Sequence, residues 1–555
     1  MVMILLVAVV GGDDRGVARD YRPVDRGQEF LLPPSMTEWL PEDHLVWFVI
    51  AAVARLDTTA FHRRAKRGGV GRRGYDPDML LTLFVYAMAH GESSSRQIER
   101  LCHTDVAFRI ICAQDVPDHT VLARFRQHHE AALTDLLTES LVLAAQLGMV
   151  SLGVVAFDGT KIAANASKDT NRSEDYLRTQ AEQFLATVAE TDTAEDARFG
   201  ADRRGDEPPP GMDRTHRDQR ISQALEQIQA RREKAERAAA EQAETTRAYD
   251  QAVADGATRA GAPPKGADRV AVARARWERL QAEAQARYAE FLARPRPPGR
   301  MVAPDEHHKV RAARAAYEAA RAHTERTAAG QTAPAAGQPA ASAVPGQAGK
   351  DRLTANLTDP DSRLLKTRNG WVQGYNCQTA ASTDEFLISA RATQDANDLE
   401  QFIPTKDDVT ATAAHLAERT GRTDLTVGTM VGDAGYDSDT NLTTDGPDRL
   451  IADAKRHVID RRAVTDPATG DPPDNATPRE KMNHRLRTPD GHALYKQRAP
   501  MIETPYAWVK DRRGLRRFAR RGLAAVQAEL SLAAAVTNLL KLRTKGITTT
   551  RLRTT

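Results

Sequence analysis

Two apolar runs in this 555-residue chain end in the same way. "VVAFDG" delivers Asp158 and "GTMVGDAG" delivers Asp433, and a glycine follows within two residues each time. Short apolar runs bounded by turn signals predict buried strands. The first strand is expected to end at Asp158-Gly159, and the second at Gly432. The plainer reading of Asp-Gly at a strand end is turn chemistry. The alternative is that a rigid element holds each carboxylate beside a metal or a phosphate, with glycine letting backbone and ligand approach closely.

Length and charge bound the rest. A chain this long should form two to four domains. It is 41% hydrophobic and 28% charged, so a sizeable core coexists with solvated helix. Net charge is only +3, but its distribution is uneven. From Lys510 to Thr555 twelve Lys and Arg face only Asp511 and Glu529, an asymmetry that suits a polyanionic partner. The three cysteines form no CxxC pair, which fits a reducing cytosol and gives neither a disulfide framework nor a cysteine-built zinc site. The opening "MVMILLVAVVGG" is apolar but short and lacks a basic flank, so neither a signal peptide nor a membrane span is expected. No other stretch is expected to reach spanning length, and the chain reads as cytoplasmic.

Residues 21–150 read as a compact helical domain behind an unassigned extension, 1–20. In "YDPDMLLTLFVYAMAHGESSSRQIERL", Asp76-Pro77 suits an N-cap and first helical position, Gly91 a stop, and Ser94 with Gln97 a second cap. Two helices around a Gly/Ser turn resemble a helix-turn-helix, though an ordinary packed pair is the plainer reading. Asp118 or Thr120 should cap the next helix. His119, His128 and His129 suit caps and surface better than a metal, because adjacent residues diverge around a helix.

After the strand at 151–167 the composition changes. Residues 171–350 form an insertion of exposed Ala/Arg/Glu/Gln helices joined by "EPPPG", "GAPPKG" and "RPRPPG". It closes with the linker "GQTAPAAGQPAASAVPGQAGK". Sparse apolar heptad positions argue against a long coiled coil. "WVQGYNCQTAAS" and "FLISARATQ" then predict strands around a tight turn at Thr383-Asp384-Glu385. A helix over roughly 398–419, the Asp433 strand and a short strand in "RLIADAKR" follow. Residues 460–490 read as loop, and helices close the chain. Without the insertion this is a three-strand meander, a helix and returning strands. That is the element order of a ribonuclease H-like α/β fold with a mixed sheet.

A third carboxylate, Glu503, lies among Tyr495, Arg498 and Lys510. Asp158 and Asp433 are 275 residues apart and Glu503 is 70 further on, so only a fold could unite them. Here the motifs resemble those of bacterial insertion-sequence DDE transposases of the large IS-four/IS-five-like group. "DGTKIAANAS", "GDAGYDS" and "YKQRAPMIETPYAWVK" resemble the blocks around the three acidic residues, the last being a Tyr-Arg-Glu-Lys signature. "YDPDMLLTLFVYA", "SSSRQIERLC" and "PDHTVLARFR" resemble the N-terminal transposase helical domain, and "DPDSRLLKTRNGWVQGYN" and "RRFARRGL" the inner and terminal blocks.

The resemblance implies an N-terminal helical DNA-binding or dimerisation domain at 21–150 and a ribonuclease H-like catalytic domain at 151–555. It implies that Asp158, Asp433 and Glu503 hold two divalent ions, normally Mg²⁺ with Mn²⁺ as substitute, and that no small-molecule cofactor is used. It implies a substrate of double-stranded DNA, both element terminal inverted repeats and target. The expected reaction is cut-and-paste movement by phosphodiester hydrolysis and 3′-OH strand transfer, from a homodimer that pairs the ends. Tyr495, Arg498 and Lys510 become candidate DNA contacts, as do Arg512, Arg513, Arg516, Arg517, Arg520 and Arg521 in the basic run that follows. A nuclease without strand transfer and an inactive DNA-binding relic are the alternatives. Asp437 and Asp439 compete with Asp433 but suit the cap of a following helix. Thr504-Pro505 reads as an N-cap and first helical residue, which would put Glu503 just before the last helix.

Overall fold

The computed structural model describes residues 35–63, 74–183, 215–255, 263–294, 301–328, 353–453 and 456–554. The extension 1–20, the link "EPPPG", "RPRPPG" beyond Arg294 and the linker 330–350 lie outside them. The described residues divide into two compact units, one reaching His128 and including Leu542–Thr555, the other His129–Lys541.

The first unit is helical and follows its local signals. Asp76 accepts from the Asp78 amide at 2.8 Å with Pro77 at the first helical position, and the helix runs Pro77–Ala89. Gly91, at φ 76°, turns the chain, and Ser94 accepts from the Gln97 amide to start Ser95–Thr104. Arg126 donates to Ser93 O and Ser95 Oγ, both at 2.8 Å, and lies over the Phe84 ring. The turn between the two helices is thus pinned by a later one, His119–His128, which Asp118 caps. Phe125 stacks against Phe61 and Phe84 in the core.

The second unit holds a mixed sheet. Its strands are β1 (Val154–Ala163), β4 (Arg363–Thr367), β5 (Gly370–Ser382), β6 (Leu387–Thr393), β7 (Thr429–Gly432) and β8 (Asp448–Ile451); β2 and β3, described below, form a separate ladder. β5 runs antiparallel to β1 on one edge, and its other edge takes β4 along its first part and β6 along the rest. On the far side of β1, β7 and then β8 add in parallel. The order across the sheet is β6-β5-β1-β7-β8, with β4 extending the β5 edge. The β5–β6 turn falls at 383–385 as expected, with Glu385 in the left-handed region at φ 62°. Phe157 forms the core under the sheet, against Phe402 of the Phe402–Thr420 helix and Tyr436. A Cβ at Gly432 would lie 2.2 Å from Phe157 Cζ, so the glycine of "VGDAG" is a packing requirement.

Three expectations are corrected. β1 does not stop at Asp158-Gly159 but continues to Ala163, because β5 pairs with it along that whole length. Residues 460–490 are not loop: helices run Arg456–Thr465 and Pro478–Arg487. The second is announced by a capping box, Thr477 with Glu480, and by Pro478 at the first position. Leu523–Thr544 is long and apolar enough to cross a membrane, although 78% of its apolar window is buried inside the fold, as in a core helix.

The insertion leaves and returns through one ladder. β2 (Asn171–Ser173) pairs antiparallel with β3 (Thr354–Asn356), so its two ends are stapled side by side. Buried Asn356 locks the staple: its amide donates to Ser167 O, and its oxygen accepts from the Thr358 and Asp359 amides. Helices Thr215–Ala254, Arg269–Leu292 and His308–Ala328 extend from it. Leu177, Ile221, Ala224, Ile228 and Ala355 form a small core at its root.

Candidate active site

The sheet brings Asp158 and Asp433 together. β7 accompanies β1 only as far as Ala156↔Val431, so Asp158 lies just past the end of its parallel partner while β5 still holds its other side. Asp433 follows β7 directly and accepts from the Gly435 amide at 2.9 Å. Two parallel strands therefore present carboxylates at the same end. Asp437 instead pairs with Arg479 at 3.1 Å, and Ser438 rather than Asp439 caps the next helix.

One cation serves both carboxylates. Arg498 begins the helix Arg498–Ala507 and its side chain is only 8% exposed. Its Nη2 donates to Asp158 Oδ2 at 2.7 Å and lies 3.6 Å from Asp433 Oδ2. Burial pulls the Arg498 pKa down, but the two aspartates more than offset it and hold the guanidinium above its ordinary value. Burial pushes Asp158 up to about 6; Arg498 opposes that shift, and repulsion from Asp433 and Asp398 adds to it.

Asp398 is the residue that sequence reasoning missed. Its Oδ1 accepts from Asn376 Nδ2 at 2.8 Å and Gln378 Nε2 at 2.6 Å. Gln378 in turn accepts from the buried Tyr436 hydroxyl at 2.5 Å. A Cβ at Gly159 would lie 2.3 Å from Asp398 Oδ1 and 2.5 Å from Gln378 Nε2. Gly159 therefore admits this network under Asp158; it does not make a turn. The available signals were Asn376 and Gln378, polar residues inside an otherwise buried strand. Tyr506 was also missed; its hydroxyl donates to the Asp158 carbonyl.

Glu503 is placed differently from the two aspartates. It lies inside the Arg498–Ala507 helix, which contains Pro505, and not ahead of a helix starting there. The helix accommodates the proline and then widens into a π turn, Trp508–Arg512, where the Arg513 amide bonds to Trp508 O. Glu503 is exposed and sits about 140° around the helix from Arg498. Among the described residues no hydrogen bond or ion pair joins it to either aspartate.

The remaining candidates divide by burial. Tyr495 is core, 4% exposed, under the Arg456 guanidinium. Lys510 is half-buried, donates to Thr160 Oγ1 and lies 5.8 Å from the Tyr506 ring centroid; burial lowers its pKa. Arg513 is buried and Arg520 pairs with Glu130. Arg516 is exposed beside Asp511, and Arg512, Arg517 and Arg521 are exposed. Only part of the basic run therefore faces solvent.

Asp158 and Asp433 are hard oxygen donors that share one cationic partner, the donor set a small divalent ion takes. Among the described residues, Asp158, Asp433 and Glu503 do not form a cluster with ligand atoms within 4.8 Å of one another. Groups of three with ligand atoms within 4.8 Å of one another occur elsewhere: His62, Asp76 and Asp78, and Glu99, Asp118 and His119. Asp76 and Asp118 already cap helices there.

Residues 34–128 match a family described as a transposase domain (DUF772), and residues 472–543 match a transposase DDE domain. Both matches support a DDE transposase. The second covers Arg498, Glu503 and Lys510; neither covers Asp158 or Asp433. No curated protein and no solved structure matches the chain.

Proposed function

We propose that the chain is a cut-and-paste transposase of the IS-four/IS-five-like group. In this reading it cuts DNA at the terminal inverted repeats of its own element and joins the 3′ ends to target DNA. The observation that carries the reading is the convergence of Asp158 and Asp433 on Arg498, at the ends of adjacent parallel strands. The order β6-β5-β1-β7-β8, with β1, β7 and β8 parallel, supports assigning the catalytic domain to the ribonuclease H-like fold. DNA as partner follows from the two transposase matches and from the exposed part of the basic run.

In this reading Asp158 and Asp433 hold divalent ions, Mg²⁺ or Mn²⁺, and Glu503 joins them when DNA is bound. Such ions, if held there by Asp158 and Asp433, would supply Lewis-acid stabilisation of charge on the phosphodiester oxygens. Arg498 neutralises the aspartates before metal and DNA arrive and then turns to a phosphate. Tyr506 holds the Asp158 backbone, and Asp398 steadies the neighbouring strand β5 through Asn376 and Gln378. Lys510 takes a phosphate beside the cut. The protein works as a homodimer that pairs two ends, in the bacterial cytoplasm at the nucleoid.

The test is cleavage and joining of paired element ends by the full chain, with Asp158→Ala and Asp433→Ala alongside. The reading expects Mg²⁺-dependent nicking and strand transfer, both lost in either variant. Cleavage without joining would reduce the chain to a nuclease. Unchanged activity in both variants would remove the site assignment.

A further inference from the structure

We propose that the cleft at the root of the insertion is an anion site that takes the phosphate group of a small phosphorylated molecule. It lies between helix Thr215–Ala254 of the insertion and strand β4. Its volume is about 440 Å³, within the ordinary range for a small-ligand pocket. Its cations come from both sides: Arg231 and Lys234 from the helix, Arg363 from the first position of β4. Neither the insertion nor the sheet holds the set alone. The site needs no DNA and stands apart from the transposase proposal.

Two of these cations repel one another without a counter-charge. Gln227 joins Arg231 and Arg363: its carbonyl accepts from Arg231 Nε at 3.1 Å, and its side-chain oxygen accepts from Arg363 Nη2. Arg231 Nη2 also donates to Thr354 O at 2.6 Å, and Arg363 Nη1 to Pro360 O at 2.7 Å and Ser362 O at 3.0 Å. All these acceptors are neutral, and among the described residues neither guanidinium forms an ion pair. Burial pulls both below the ordinary arginine value; for Arg231 the Arg363 charge adds to the fall, down to about 10. The nearby carboxylates are already committed. Asp395, in the cleft wall, pairs with Lys234 at 3.1 Å, and Asp361 accepts from the Leu523 amide and the Gln227 and Gln394 side chains. Two like charges held side by side and partly out of water are costly, and a bound anion offsets that cost.

The donors set the class of anion. A guanidinium is a planar fork of N–H donors, and among the described residues Arg231 Nη1 and Arg363 Nε have no protein acceptor. Guanidinium forks match phosphate oxygens, and two of them match the charge of about −1.5 to −2 on a phosphate monoester at neutral pH. The cleft is larger than one phosphate, and Asn171, Ser362, Gln373 and Gln394 supply polar edges for the rest of the molecule. A duplex presents its phosphates on a broad convex surface. That suits the exposed arginines among residues 512–521, not a pair set within a cleft and only partly exposed.

The experiment follows the melting temperature of the full chain as inorganic phosphate or adenosine 5′-monophosphate is added, with chloride holding the ionic strength constant. Both probes should raise it saturably, the nucleotide at lower concentration. Arg231→Gln and Arg363→Gln should each weaken the apparent Kd for adenosine 5′-monophosphate about 10- to 150-fold. Arg231→Lys, which keeps the charge, should retain part of the response. A duplex oligonucleotide should bind the wild type and Arg231→Gln equally. The absence of a saturable rise in the wild type overturns the inference whether or not the variants fold, and so does a rise that both Gln variants keep. Weaker duplex binding by Arg231→Gln, with no response to either probe, would make the two arginines a DNA contact instead and overturn it as well.

Discussion

The acidic centre and the helical insertion are joined through the same strand, β1, and differ in how they are held. At the centre, residues from four distant segments meet: Asp158, Asn376 with Gln378, Asp433 and Arg498. Arg498 joins the two aspartates, Asn376 and Gln378 both donate to Asp398, and the guanidinium between the aspartates is nearly shut off from water. In the insertion, helix Arg269–Leu292 has no buried residue, and its ion pairs, such as Arg274 with Glu278, join residues one turn apart. The short β2–β3 ladder, the Leu177–Ile221 cluster and a few polar contacts of the first insertion helix, Gln227 with Asp361 and Arg363 and Lys234 with Asp395 and Glu400, tie it to the unit. A region held by long-range buried contacts transmits any change to the aspartates; one held by local contacts at its root can be altered without disturbing them.

That contrast orders the expected effects. Asp158→Asn and Asp433→Asn should each lower DNA cleavage on the order of 10³-fold or more with the fold retained, read by cleavage assay and circular dichroism. Arg498→Ala leaves two buried-edge carboxylates facing one another. It should cost about 3–5 kcal/mol of stability without divalent ions. Added Mg²⁺ should then raise the melting temperature more in this variant than in the wild type. Equal rises would mean that Arg498 and the ion do not compete.

Acidity gives the next effect. A folded-state pKa raised to about 6 means that Asp158 keeps its proton up to that pH and cannot ligate an ion while neutral. Mn²⁺ affinity should therefore rise with pH to about 6 and level off above it. Asp158→Asn should remove that dependence. Asn356→Ala, at the root of the insertion, should cost about 1–3 kcal/mol in chemical denaturation through unpaired buried groups. Arg274→Ala, on the insertion's surface, should leave the denaturation midpoint unchanged.

How legible each region was in the sequence follows from the same distinction. Helix ends governed by neighbours in sequence could be read directly, as at Asp76-Pro77, Gly91 and Ser94. The Thr477-Pro478-Glu480 start obeyed the same rule but was hidden by the prolines and aspartates around it. Asp433 could be placed because its strand ends where its apolar run ends. Asp158 could be picked out but not placed: Asp-Gly has the chemistry of a turn, and only β5, more than two hundred residues away, shows that the strand continues. Asp398 could not be found from its own neighbourhood, since its role comes from Asn376 and Gln378 on another strand. Pro505 misled for a similar reason. The rule that proline starts a helix is local, whereas Met501, Ile502 and Pro505 are buried by tertiary packing that carries the helix through it.

The central claim is that Asp158 and Asp433 form one metal-binding centre. Its most direct test is to locate Mn²⁺ by anomalous diffraction from crystals of the full chain with bound DNA, and to repeat it with Asp433→Asn. The account predicts manganese between Asp158 and Asp433 in the wild type and its loss in the variant. Manganese found only at His62, Asp76 and Asp78 or at Glu99, Asp118 and His119, unchanged by the substitution, would contradict it.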